Sequence, residues 1–220
     1  MKINIVTRVI NKTRKVLYNK FFKKYKVKKL TNRIKNKDIS LITFNCIGGI
    51  LYNEMSLRFN SPTINMFFSA PDFIKFCTNL KYYMEKELIE DTTADSSYPV
   101  AKIDDIKIFG LHYKSFDELK TKWDERKQRI NWDNIFIIGG YRDNCTPQLV
   151  EEFGKIPFDN KIMLIPKGIK KYPYTRTVKS LLWGKQELAP ADAMKNCFGK
   201  RYYDTAIDFV DWFNNPSKYR

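Results

Sequence analysis

From residue 38 onward, short apolar runs rich in β-branched residues alternate with longer stretches whose apolar positions fall three and four apart. Runs of the first kind are expected to be buried strands, and stretches of the second kind amphipathic helices. ISLITFN (39–45) predicts a strand, and GILYNEMSL (49–57) a helix after the Gly48-Gly49 turn. TINMFF (63–68) predicts another strand. It is closed by Ser69, which can cap a helix with Pro71 in its first turn that runs on through DFIKFCTNLKYYMEKEL (72–88). DTTADSS (91–97) is a polar loop, and YPVAKIDDIKIFGLHY (98–113) reads as two strands broken at Asp104-Asp105. Ser115 and Glu118 form a capping box for a helix over 116–130, which leads into the strand NIFIIGG (134–140). Thr146-Pro147 opens a short helix, KIMLI (161–165) is a further strand, and YYDTAIDFVDWF (202–213) is a closing helix. The alternation predicts an α/β fold: a mostly parallel sheet flanked by helices, with 98–111 as a short antiparallel insertion.

The first 37 residues have a different texture. RVINKTRKVLYNKFFKKYKVKKL (8–30) continues a pattern in which Val6, Ile10, Leu17 and Phe21 keep helical spacing among lysines and arginines. This predicts a basic amphipathic helix, or two short ones. Charge sharpens the division. The chain carries a net charge of +16, yet residues 1–37 hold 14 Lys or Arg and no acidic residue, leaving 26 basic against 24 acidic residues beyond them. The predicted organisation is a basic amphipathic N-terminal arm (1–37), one α/β domain (38–214) and a short tail (215–220). Because the domain is nearly neutral, the arm is expected to meet an anionic membrane surface, and nucleic acid is not expected as a partner.

No apolar run reaches the length of about 18 residues that a spanning helix needs. Charge also interrupts the N-terminus before a secretory core can form. The expected location is therefore cytoplasmic, peripheral at the inner face of the cell membrane. Cys46, Cys77, Cys145 and Cys197 are scattered and His112 is the only histidine, so neither a metal site nor a disulfide framework is expected.

Candidate chemistry concentrates at two glycine-bearing turns. Asn45-Cys46-Ile47-Gly48-Gly49 lies between a strand and a helix, an arrangement that can display a nucleophile. The amides of Ile47 and Gly48 would then hold an oxyanion, and the helix start would favour the thiolate of Cys46. The alternative is a small buried cysteine beside a turn. His112, at a strand end, is the candidate general base, and Asp143 the group to orient it. Arg142 would hold an anionic group, with Asn45 and Gly49 beside it at the substrate. Fingerprints for dinucleotides and nucleoside triphosphates are absent, as is any pair of aspartates two positions apart.

Four stretches carry a resemblance: FNCIGGILYNEMSLRFNSPTINMFF, PDFIKFCTNLKYYM, YPVAKIDDIKIFGLHYKSFDELKTKWDERKQRINWDNIFI and YRDNCTPQLVEEFGKIPFDNKIML. Over about residues 38–214 the chain resembles the DUF1919 family of exopolysaccharide or capsule biosynthesis proteins. Ile47 stands where the family pattern has an aromatic residue. The resemblance implies a role in surface-polysaccharide assembly. Joined to the residues, it gives the expectation of an O-acetyltransferase using a Cys46–His112 pair. Acetyl-CoA would be the donor, and a polysaccharide or lipid-linked glycan the acceptor. The alternatives are a glycosyl- or phosphosugar-transferase of the same pathway and a non-catalytic glycan-binding component.

Overall fold

The computed structural model describes residues 5–179 and 187–220. Residues 1–4 of the arm lie outside the described residues, as does the Val6 side chain. The chain opens with α1 (Ile5–Leu17), which passes through a π-helical turn at Tyr18–Phe22 into α2 (Lys23–Arg33). Next come β1 (Ser40–Thr43), α3 (Ile47–Glu54), α4 (Ala70–Thr78) and α5 (Leu80–Glu85). A small sheet follows, made of β2 (Ile89–Glu90), β3 (Val100–Ile103) and β4 (Ile106–Phe109). The chain continues with α6 (Phe116–Lys127), β5 (Ile135–Gly140), α7 (Pro147–Phe153), β6 (Lys161–Pro166), β7 (Thr175–Val178) and α8 (Phe209–Asn214).

Two sheets result. The larger has the order β1-β5-β6-β7 with every pair parallel, and the smaller is antiparallel in the order β2-β3-β4. Side chains on a strand alternate between faces. Phe136 and Gly139 of β5 therefore meet different layers: Phe136 packs on Trp212 and Phe213 of α8, and Gly139 on Phe153 of α7. Helices cover both faces, and β5 is buried throughout, as a central parallel strand requires. The expected fold class, strand–helix alternation with an antiparallel insertion, is the observed one.

Local signals placed several helix starts. Ser69 Oγ accepts from Asp72 N, Ser115 Oγ from Glu118 N and Thr146 Oγ1 from Leu149 N. Glu118 returns the bond one residue early, to the amide of Lys114.

Three expectations are corrected, and two strands appear that no expectation covered. TINMFF is not a strand: residues 62–65 turn, Asn65 sits in the left-handed region (φ 63°), and only Phe67 forms a bridge, to Phe109. The long helix after Ser69 breaks at Asn79 (φ −121°, ψ 42°) and stops at Glu85. The closing helix is split, because Asp208 accepts from both Val210 N and Asp211 N and so caps a new start. β7, whose sequence TRTV has no apolar run, and the two-residue β2 were not anticipated.

The basic helices are packed against the rest of the chain. Tyr18 is buried and donates to Glu54 Oε1 at 3.0 Å. Lys26 reaches Glu54, Asp204 and the Gly199 carbonyl, and Arg201 forms a two-pronged pair with Glu54 at 2.7 and 2.5 Å. Gly199 has φ 89°, and its Cα lies against the Tyr18 ring, where any side chain would collide. Arg33 pairs with Asp208, and Lys15 with Asp192. Among the described residues, no helix is long and apolar enough to cross a membrane.

Candidate active site

β1 and β5 are parallel neighbours, with Leu41 opposite Phe136 and Thr43 opposite Ile138. Their carboxyl ends lie side by side, so Cys46 and Arg142-Asp143 share one edge of the sheet. At that edge opens a cavity of about 470 Å³. It brings together Cys46, His112, Arg142 and Asp143, with Asn45 and Gly49 beside them. Asn53, Asn65 and Asp192 complete its polar wall. Ile47 and Gly48 do not line it.

The glycines serve a purpose other than the expected one. Cys46 has ordinary backbone angles (φ −64°, ψ 0°), so no strained elbow displays it. A Cβ on Gly48 would lie 2.7 Å from Thr43 Oγ1, and one on Gly49 would lie 2.9 Å from Asn65 Oδ1. Their role is close approach of the first turn of α3 to the end of β1 and to the 62–65 turn. The Ile47 amide is also taken, since it donates to Asn45 Oδ1 at 3.0 Å. The expected oxyanion pair is therefore incomplete: the Ile47 amide is already bonded, and neither Ile47 nor Gly48 lines the cavity.

Cys46 is half-buried, and its thiol is pushed up to about 11, first by burial and then by the charge of Asp192. A hydrogen bond from its own backbone amide works the other way but does not offset burial, so the shift runs against the expected thiolate.

His112 is exposed, just beyond β4, and its backbone N–H donates to the Asn65 carbonyl at 3.4 Å. Among the described residues, no side-chain hydrogen bond joins His112 to Cys46 or to Asp143. The expected orienting bond from Asp143 is absent because that carboxylate faces Arg142 instead, with Nε 3.6 Å from Oδ2.

Asp143 and Asn144 both adopt left-handed backbone angles (φ 52° and 69°), which short polar side chains tolerate. The Asp143 carbonyl accepts from Ala70 N at 2.8 Å and ties this turn to the start of α4. Burial raises the Asp143 carboxyl above the ordinary aspartate value; Arg142 works against the rise and Glu187 adds to it. Arg142 donates through Nη1 to the Leu188 carbonyl at 3.1 Å, while its Nε is buried with no hydrogen-bond acceptor among the described residues. Beneath them Tyr203 is fully buried and donates to the Ala189 carbonyl at 2.7 Å.

Asn53, Asn65, Asp192 and Tyr203 escaped sequence reasoning. Asn53 had a findable signal: it lies on the helical face shared by Cys46, Gly49 and Ile50. Asp192 comes from a distant loop and carried none. As an ensemble the cavity offers neutral amides, one arginine with spare donor capacity, a carboxyl of raised proton affinity, an imidazole and a neutral thiol. Among the described residues, no group of three His, Cys, Asp or Glu side chains is placed to hold a metal ion.

The profile of the family described as "Domain of unknown function (DUF1919)" matches residues 17–214. An uncharacterised protein of Haemophilus influenzae is 32% identical over 187 residues, which make up 84% of this chain and 89% of that protein. The family match begins at Leu17, inside the basic helices, and spans both turns that line the cavity. The chain belongs to the DUF1919 family.

Proposed function

We propose that the chain is a transferase of surface-polysaccharide assembly, acting on a sugar held in the carboxyl-edge cavity. The observation that carries this reading is one cavity that holds the half-buried Asp143 carboxyl, raised in proton affinity, beside Arg142, whose Nε has no hydrogen-bond acceptor among the described residues. A carboxylate shifted upward is a stronger base toward a hydroxyl than an ordinary one. Asn45, Asn53 and Asn65 can both donate to and accept from sugar hydroxyls. Arg142 suits the phosphate of an activated donor.

The reaction class is glycosyl or phosphosugar transfer. Asp143 takes the proton of an acceptor hydroxyl, the freed oxygen bonds to the donor's sugar carbon or phosphorus, and the phosphate leaving group departs with its electron pair toward Arg142. The basic helices support action at the inner face of the cell membrane, since Val9, Val16, Phe21 and Tyr25 are exposed among their lysines.

A second reading, O-acetyl transfer from acetyl-CoA through Cys46, is favoured by the thiol and His112 lining one cavity. There the neutral thiol must pass its proton to the imidazole as it attacks. Titration calorimetry with nucleotide sugars and with acetyl-CoA, followed by intact-mass measurement, separates the two. Nucleotide-sugar binding that survives in Asp143→Asn, with loss of turnover, is the expected result. An acetyl adduct on Cys46 with no nucleotide-sugar binding overturns it.

A further inference from the structure

A larger cavity, about 770 Å³, lies between α2 and the segment that leads into α8. Its floor is apolar, with Leu51, Met55 and Phe209 buried there. At its mouth Tyr25 and Phe198 are 71% and 63% exposed, and Phe198 packs edge-on against Phe22 at 4.9 Å. Large aromatic side chains left in water beside a groove mark a surface that meets something apolar.

The charges of this groove are not balanced. Five basic residues and three acidic ones line it. Glu54, Asp204 and Asp208 are all engaged, by Lys26, Arg33 and Arg201. Lys29 and Lys200 have no carboxylate partner among the described residues, and residues 1–4 and 180–186 contain no acidic residue that could supply one. Arg201, which lines the same groove, keeps a buried Nε without a hydrogen-bond partner among the described residues. An apolar floor, exposed aromatics at the mouth and surplus cations at the rim together describe a receptor for one chemistry: a long apolar chain ending in an anionic head.

We infer that this groove binds a phosphate-bearing lipid, with the lipid chain along Met55, Phe198 and Phe209 and the phosphate between Lys29 and Lys200. Phosphate fits those two ammonium groups as a charge-assisted hydrogen-bonding partner. The arm supplies the route, because Phe21 and Tyr25, exposed among lysines, lie on the helical stretch that walls the groove. The inference is independent of the reaction assigned to the carboxyl-edge cavity, which lies on another face of α3.

The test uses the full chain and dodecyl phosphate below its micelle-forming concentration, with inorganic phosphate and dodecyl maltoside as controls, read by titration calorimetry. Dodecyl phosphate is expected to bind at least about tenfold more tightly than either control. The double variant Lys29→Glu/Lys200→Glu should lose at least about tenfold in that affinity while its melting temperature holds. Phe198→Ser should weaken binding in the same way through the chain. Equal affinity for dodecyl maltoside, or unchanged dodecyl phosphate affinity in the double variant, overturns the inference. So does a protein that sediments with phosphatidylglycerol vesicles yet ignores dodecyl phosphate, because the arm would then rest on a bilayer with no lipid lodged in the groove.

Discussion

One short helix, α3, separates two polar regions of opposite character. On one side Glu54 accepts from Tyr18, Lys26 and Arg201, so the hydrogen-bonding capacity of its carboxylate is taken up within the chain. On the other side Cys46, Gly49 and Asn53 face a cavity where, among the described residues, Arg142 Nε has no acceptor and no side-chain hydrogen bond ties His112 to Cys46 or Asp143. A buried carboxylate whose acceptor capacity is taken up within the chain holds a structure together; polar groups with spare capacity that line an open cavity are free to meet a ligand. The contrast sets Glu54 with the architecture and leaves the carboxyl edge as the candidate site.

The strongest way to break that contrast is Glu54→Ala. It should cost about 3–5 kcal/mol in urea unfolding, because Arg201 is left buried without its main partner. A variant as stable as the parent would show that the cluster does not hold the basic helices in place. Gly48→Ala should come next, at about 1–3 kcal/mol, since its Cβ would press on Thr43 Oγ1. Asn53→Ala, one helical face away and exposed, should stay within about 0.5 kcal/mol while weakening ligand binding.

Asp143→Asn sharpens the comparison through its sign. The carboxyl is raised in the folded state, so folding takes up a proton as pH climbs between the unfolded and folded values, and stability falls across that window. Removing the charge should therefore raise the melting temperature at pH 7 slightly, whereas the loss of Glu54 lowers it. A lower melting temperature for Asp143→Asn would place Asp143 with the structural charges. The smallest effect concerns Cys46. Alkylation by iodoacetamide should accelerate with pH up to about 11, past the point where an ordinary thiol levels off, with no change in stability. A rate that is already flat at pH 7 would restore the activated thiolate.

Sequence reasoning succeeded where the cause of structure is local. The caps at Ser69, Ser115 and Thr146 each depend on a side chain and an amide three residues on, and the strand ends at Cys46 and Asp143 follow from apolar runs closed by turns. It failed where tertiary contact decides. TINMFF has the composition of a strand, but no neighbouring strand is available to pair with more than Phe67. Charge marked out the basic helices without revealing that Tyr18 and Lys26 dock on Glu54. At the site, composition suggested an activated cysteine, but the degree of burial and the nearness of Asp192, which set its proton affinity, belong to the folded chain alone.

The pairing of β1 with β5 also governs how the molecule comes into being. Ser40 pairs with Ile135, and between them the chain must first make α3 to α6 and the whole antiparallel sheet. Closing so long a loop carries an entropic cost before any contact rewards it, so this pairing belongs to the slow class of folding events. Cys46 and Asp143 meet only when that loop closes. A nascent chain stalled before residue 135 holds nine of the fourteen residues that line the cavity but only one of the two strands that make its edge, so the candidate site is assembled late.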